Sequence, residues 1–259
     1  MPIVKSGEAR IHYVLEGQSG APALVLSNSL GTNYSMWDPQ LPELRKKLRV
    51  LRYDTRGHGQ SSLTPGPYSI EQLGKDVIAL LDASDLDRVH FCGLSMGGMT
   101  GMWLGVNAPD RLNKLVLCNT AAKIGTSEVW NARIEAVRKN GMKSVASAVV
   151  ERWFSPAFRE KAPAKVSSTL KMLEESNPEG YAACCAAVRD FDFREQLSKI
   201  RVPVLVIAGA HDPATPPVDG RFLADQIQGA RYTELNAAHL SNIEDQDRFN
   251  REVIAFLYS

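Results

Sequence analysis

The sequence lacks an excess of charge of either sign: among 259 residues, 30 Lys and Arg stand against 29 Asp and Glu, a formal net charge of +1. So balanced a chain has no broad electrostatic pull toward nucleic acid or an anionic membrane surface. It also lacks any apolar run near the ~18–20 residues that a membrane-spanning helix needs. Cysteine is scarce. Cys92, Cys118, Cys184 and Cys185 form no C-x-x-C pair, which argues against zinc sites and thioredoxin-type chemistry. Cys92 and Cys118 each end an apolar run, and adjacent cysteines rarely bridge each other. All four therefore read as small core residues in a reducing compartment. The opening stretch MPIVKSGEARIHYVLEG mixes charge and apolar residues too early for a signal peptide. The expectation is a soluble cytoplasmic protein with no nucleic-acid or membrane partner.

What is present is a core-forming chain, 44% apolar. Ile3-Val4 and Ile11 to Leu15, separated by Ser6-Gly7, read as a hairpin. Short apolar runs then recur: Ala23 to Leu26, Val50 to Tyr53, Val89 to Cys92, Leu115 to Cys118 and Val204 to Ala208, with a weaker run from Tyr232 to Leu235. Continuous rather than alternating runs suggest strands covered on both faces. Helical patterns between them suggest a mostly parallel α/β sheet with helices on both faces. The basic run Arg45-Lys46-Lys47 falls late in an expected helix, where its charge suits the dipole.

That rhythm breaks between about 122 and 193, where only helical signals occur. Helices are expected from Thr126 or Ser127 to Lys139, from Met142 to Phe154, from Lys165 to Ser176 and from Tyr181 to Arg189. Ser155-Pro156 and Pro178 read as stops. This divides the chain into a core of residues 1–121 and 196–259 and a helical cap of residues 122–195, inserted before the strand Val204 to Ala208. Such an insertion sits above the C-terminal ends of the strands, where α/β sites form.

Gly93-Leu94-Ser95-Met96-Gly97 fits G-x-S-x-G between an expected strand and an expected helix. A serine on so sharp a turn takes a strained backbone conformation. A side chain at Gly93 or Gly97 would strike the neighbouring helix or strand. The Met96 N–H is left at a helix N-terminus, free to meet an anion.

A serine hydroxyl needs an adjacent base. Of five histidines, His12 and His90 lie in strand-like runs, and His211 directly precedes a candidate acid. His58, in DTRGHG, lies in a loop on the correct edge and is the one serious rival as base; its other reading is a hydrogen bond that stabilises its turn. His239, after the last strand and before the last helix, is the candidate base. The carboxylate that orients such a base is expected at a strand's C-terminal end. Asp212 follows Val204 to Ala208, whereas Leu115 to Cys118 ends in Asn119-Thr120. Asp54 also ends a strand and is expected to pair locally with Arg56. The chain order Ser95, Asp212, His239 is that of α/β-hydrolases. Acyl transfer also needs donors for the developing oxyanion. The Met96 N–H is one, and by position the Leu30 N–H of Ser27-Asn28-Ser29-Leu30-Gly31-Thr32 is the other.

In the insertion, Trp130, Arg133, Ile134 and Val137 share one helix face. The arginine either covers its neighbours with its stem or points its guanidinium at a substrate carboxylate. Trp130 either walls the pocket or belongs to the core. Arg152 and Arg189 are weaker candidates for the carboxylate.

Several stretches resemble the 3-oxoadipate enol-lactone hydrolases of bacterial aromatic catabolism: LSNSLGTNYSMWDPQ, LRYDTRGHGQSS, HFCGLSMGGMTGMWLG, LVLCNTAAKIG, YAACCAAVRDFD, LVIAGAHDPATPP and AAHLSNIE. The S-N-S-L-G segment is the most telling, because many α/β-hydrolases carry His-Gly where this chain has Asn28-Ser29. The resemblance implies an α/β-hydrolase fold and hydrolysis of a small lactone that bears a carboxylate. It also implies a Ser95, His239, Asp212 acyl-enzyme mechanism with neither metal nor organic cofactor. Other ester, carbon–carbon bond hydrolase or perhydrolase activities of the same fold remain alternatives, as does a ligand receptor that barely turns over.

Overall fold

The computed structural model describes residues 2–259. Strands β1 (Ile3–Ser6) and β2 (Ala9–Glu16) form the N-terminal hairpin, which turns through Gly7 at φ 57°. β3 (Ala23–Ser27), β4 (Arg49–Tyr53), β5 (Val89–Leu94), β6 (Leu112–Cys118), β7 (Val204–Gly209) and β8 (Arg231–Leu235) complete the sheet. Its order is β1-β2-β4-β3-β5-β6-β7-β8. The hairpin joins antiparallel to β4, and every later pairing is parallel. Every residue of β3, β5 and β7 is buried, as their uninterrupted apolar runs require.

Among the described residues three α-helices precede β6: α1 (Leu41–Leu44), α2 (Ile70–Ala83) and α3 (Met96–Asn107). α2 begins with a reciprocal capping box between Ser69 and Gln72. α3 packs along β3, β5 and β6, which fixes the serine turn above the middle of the sheet. Five helices then lie between β6 and β7: α4 (Ser127–Asn140), α5 (Lys143–Trp153), α6 (Pro156–Lys161), α7 (Pro163–Glu174) and α8 (Pro178–Arg189). The two ends of this excursion meet, because Phe193 N donates to Ala122 O at 2.9 Å. α9 (Pro217–Gln226), α10 (Ser241–Glu244) and α11 (Gln246–Leu257) finish the chain.

Three local expectations need correction. α6 was not anticipated, because Ser155-Pro156 starts a helix as well as ending one. Ser155 Oγ accepts from Phe158 N at 3.2 Å, with Pro156 in the first turn. Pro178 likewise opens α8 behind Asn177, whose Oδ1 accepts from the Glu179 and Gly180 amides. The basic run Arg45 to Lys47 follows the single turn of α1 instead of riding on a long helix, with Lys46 paired to Glu43 at the surface. All four cysteines are free and buried.

Candidate active site

Ser95 sits between β5 and α3 at φ 58° and ψ −115°, a conformation that a residue with a side chain rarely adopts. The surrounding packing imposes it. A Cβ on Gly93 would lie 2.1 Å from Gly97 O, and one on Gly97 would lie 2.3 Å from Ser27 O. Backbone thus approaches backbone where side chains are excluded, and the helix start is pressed onto β3. Ser95 N donates to Cys118 O at 2.9 Å, and Thr120 Oγ1 donates to Ser95 O at 2.8 Å. The turn is held at both ends.

Asp212 and His239 stand on the loops after β7 and β8 and meet at 2.8 Å between Oδ2 and Nδ1. The same carboxylate oxygen accepts from Asn119 Nδ2 at 3.0 Å and from Thr215 Oγ1 at 2.7 Å. The other oxygen accepts the Ala214 and Thr215 amides at 2.8 and 3.0 Å. Burial alone raises the Asp212 carboxyl. The facing His239 charge and the bonds from His239, Asn119 and Thr215 outweigh it and hold the group below the usual carboxylate range. Asp212 is therefore an ionised acceptor for the imidazole Nδ1–H, which leaves Nε2 as the basic nitrogen. The structure draws no hydrogen bond between Ser95 Oγ and this imidazole. Both side chains line one cavity, and catalytic hydrogen bonds commonly tighten only when substrate arrives.

The loop after β3 is fastened through Asn28. Its Nδ2 donates to Tyr53 O at 2.7 Å, its Oδ1 accepts from Trp37 Nε1 at 3.0 Å, and its backbone oxygen accepts from Gly97 N at 3.0 Å. The last bond ties this loop to the start of α3. The neighbouring amides of Ser29, Gly31 and Thr32 have internal acceptors. Those of Leu30 and Met96 have none among the described residues, and both residues are buried. Two free donors thus flank the serine.

The cavity measures about 50 Å³, room for roughly four water molecules, so it suits a compact ligand and not a long acyl chain. Ser29, Leu30, Ser95 and His239 line it from the core. Trp130, Arg133, Arg152, Trp153 and Tyr181 line it from the helical insertion, and no Asp or Glu is in the lining. A larger hollow of about 810 Å³, between α5, α6 and the loops near His211 and Asn236, contains neither Ser95 nor His239 and is broadly open. Size alone is therefore no guide here; Ser95 and His239 line the smaller cavity.

Trp130 and Arg133 both line the cavity. Trp130 is 6% exposed, with its Nε1 donating to Ile124 O at 2.7 Å, so it is core and cavity wall at once. The Arg133 guanidinium lies 4.6 Å from the Trp130 ring centroid. Arg189 does not reach the cavity; it pairs with Asp190 and donates to Asn131 Oδ1. His58 is buried, and its Nε2 accepts from Gly31 N at 3.1 Å, a turn-holding bond. Asp54 does not pair with Arg56. It takes His12 Nδ1 at 3.1 Å and the Tyr34 and Gln60 amides, while Arg56 makes a two-pronged bond to Asp76. Sequence reasoning missed Asn119, Thr215 and Tyr181. Asn119 does carry a signal, because it stands at the C-terminal end of a central strand. Among the described residues no three His, Cys, Asp or Glu side chains gather as metal ligands do, and no helix is long and apolar enough to cross a membrane.

The chain is similar to several known proteins. Residues 22–246 match the family model of the alpha/beta hydrolase fold. The chain is 47% identical over 250 residues to 3-oxoadipate enol-lactonase 2 of Acinetobacter baylyi, covering 96% of this chain and 94% of that one. It is 42% identical to 3-oxoadipate enol-lactonase 1 of the same organism, over 95% and 92% of the two chains. The crystal structure of the enol-lactonase from Burkholderia xenovorans LB400 superposes with a TM-score of 0.98 over the whole of both chains, at 47% identity. By its sheet order, its strained serine turn and its full-length relatives, the chain belongs to the α/β-hydrolase family.

Proposed function

We propose that this chain is a carboxylic ester hydrolase that opens 3-oxoadipate enol-lactone to 3-oxoadipate, a step of aromatic-compound catabolism. One observation carries the reading: Ser95 and His239 share a small cavity with Arg133, and no carboxylate competes for that arginine. Relatives that match almost end to end bear the name of this activity.

In this reading Ser95 Oγ attacks the lactone carbonyl carbon while His239 Nε2 takes the hydroxyl proton. The oxyanion that forms meets the Leu30 and Met96 N–H groups; each such donor is worth about 10²–10³ in turnover. The ring C–O bond then breaks. The leaving enolate takes the proton from His239 and becomes a ketone, so ring opening is strongly favoured. Because the ester is cyclic, the whole chain stays on Ser95 as an acyl-enzyme. Water attacks that ester, gives its proton to His239, and Ser95 leaves with it. Asp212 holds the imidazole tautomer throughout. Arg133, stacked on Trp130, receives the acetate arm of the substrate. Residues 1–121 and 196–259 supply this chemistry, and the cap of residues 122–195 supplies the specificity. Four free, buried thiols suit a cytoplasmic location.

The test is hydrolysis of the enol-lactone beside a panel of neutral aryl esters. Lactone turnover abolished by Ser95→Ala is expected; good turnover of the aryl esters with none of the lactone would reject the assignment.

A further inference from the structure

Several arginines of this protein face a carboxylate: Arg56 faces Asp76, Arg52 faces Glu16 and Asp38, and Arg138 faces Glu179. Two arginines in the cavity wall do not. Arg133 on α4 and Arg152 on α5 both line the space that holds Ser95 and His239, and neither makes an ion pair among the described residues. They come from packed helices of the insertion; burial first, and then the nearby Arg133 charge, lowers the Arg152 guanidinium below its ordinary value. The acid next to Arg152 in sequence, Glu151, lines the separate large hollow, as adjacent residues on a helix must diverge. Tyr181 completes this wall, feeling both guanidinium charges at its buried hydroxyl.

Two half-buried cations that repel each other, neither held in an ion pair among the described residues, form a site that an anion would complete. We propose that Arg152 is the second half of the carboxylate-binding wall, so that the substrate carboxylate bridges Arg133 and Arg152 beside Tyr181. This deepens the enol-lactonase reading and rests on it. It also has a consequence independent of turnover. The wall offers two cations and the Ser95 end offers two free amides, so a short aliphatic dicarboxylate satisfies both. Adipate, a stable analogue of the ring-opened product, therefore binds as a competitive ligand.

The experiment compares wild type, Arg152→Gln and Arg152→Lys. Substrates are the enol-lactone and its methyl ester at the acetate arm; adipate and the neutral adipamide are probed by thermal shift and as inhibitors. The expected result is a fall of about 10–100-fold in the Arg152→Gln preference for the acid over its methyl ester, mostly through KM. Arg152→Lys restores part of it, and adipate, but not adipamide, raises the wild-type Tm more than that of Arg152→Gln. Equal losses on acid and methyl ester mean a merely structural Arg152 and overturn the proposal. So does an adipate shift equal in both proteins or absent from wild type. If Arg152→Gln does not fold, Arg152→Lys and the adipate–adipamide contrast on wild type decide. Failure of wild type to open the lactone counts against the functional reading alone, because the adipate measurements need no turnover.

Discussion

Asn119 Nδ2 donates to Asp212 Oδ2 at 3.0 Å, the same oxygen that receives His239 Nδ1 at 2.8 Å. The amide also donates to Ala238 O at 3.1 Å, next to the histidine, and its oxygen accepts from Ser241 Oγ at 2.5 Å. One side chain at the end of β6 therefore joins the loop bearing the acid to the loop bearing the base. Asn119 does this from φ 44°, a left-handed conformation that asparagine tolerates better than most residues.

Asn119→Ala should lower kcat by about 10–100-fold, the loss of a charge-assisted bond that keeps acid and base aligned. The direction with pH also follows. Asn119 helps to hold the Asp212 carboxyl down, so without it that carboxyl rises and the acidic limb of the pH–rate profile moves to higher pH. Linkage gives the same sign for stability: a depressed carboxyl stabilises the fold above its unfolded value, and that contribution is lost as pH falls through the folded one. A variant with reduced kcat but an unmoved acidic limb would show that Asn119 acts on packing alone.

The serine turn predicts a trade between activity and stability. Ser95 is held at φ 58° and ψ −115°, which strains any residue with a Cβ by about 1–3 kcal/mol. Both Ser95→Ala and Ser95→Gly remove the nucleophile, but only glycine removes the strain. Allowing for the extra freedom glycine gives the unfolded chain, Ser95→Gly should be more stable than Ser95→Ala by about 1 kcal/mol in denaturant unfolding. Equal midpoints would mean that the turn stores no strain.

Much of this site is legible in the sequence because its parts sit where one-dimensional signals are strongest. Strands buried on both faces read as unbroken apolar runs, and the residues just beyond β5, β7 and β8 include Ser95, Asp212 and His239. What escapes is set by contacts between distant segments. Asp54 and Arg56 look like natural partners two residues apart, yet Asp54 takes His12 and Arg56 takes Asp76. Arg152 and Arg189 look alike as lesser candidates in the sequence; only the packing of α5 on α4 puts Arg152 on the cavity wall with Arg133 while Arg189 turns to Asp190. α6 escapes for a local reason, because a Ser-Pro pair is compatible with both the end and the start of a helix.

His58 should make the fold acid-sensitive. Burial lowers its pKa from 6.5 to about 4, opposed only by the Arg56 carbonyl. The native protein then keeps His58 neutral while the unfolded chain takes up a proton. Stability from this group is fully present above about 6.5 and is lost as pH falls toward about 4. The loss is on the order of 3 kcal/mol. His58→Gln keeps an acceptor for the Gly31 amide but does not titrate. Unfolding free energies from denaturant titrations between pH 7 and 4 should therefore fall less steeply in the variant. Parallel slopes would assign the acid sensitivity elsewhere.

Glu244 links the helical insertion to the loop that bears His239. One of its oxygens accepts from Ala238 N at 3.0 Å and Ser155 N at 3.2 Å, and the other takes the Ser155 hydroxyl. The cap of α6 and the residue before His239 thus share one carboxylate. If acceptor geometry is what matters, glutamine can serve, with its oxygen toward the two amides and its NH₂ toward Ser155 Oγ, which retains acceptor capacity. Glu244→Gln should therefore stay close to wild type. Glu244→Ala strands two backbone donors and should cost about 2 kcal/mol, with kcat and KM both impaired as the His239 loop and the insertion lose their common anchor. Stability and steady-state kinetics on the two variants separate the cases: equal damage in both would mean that the negative charge, and not the pattern of acceptors, holds the base loop to the insertion.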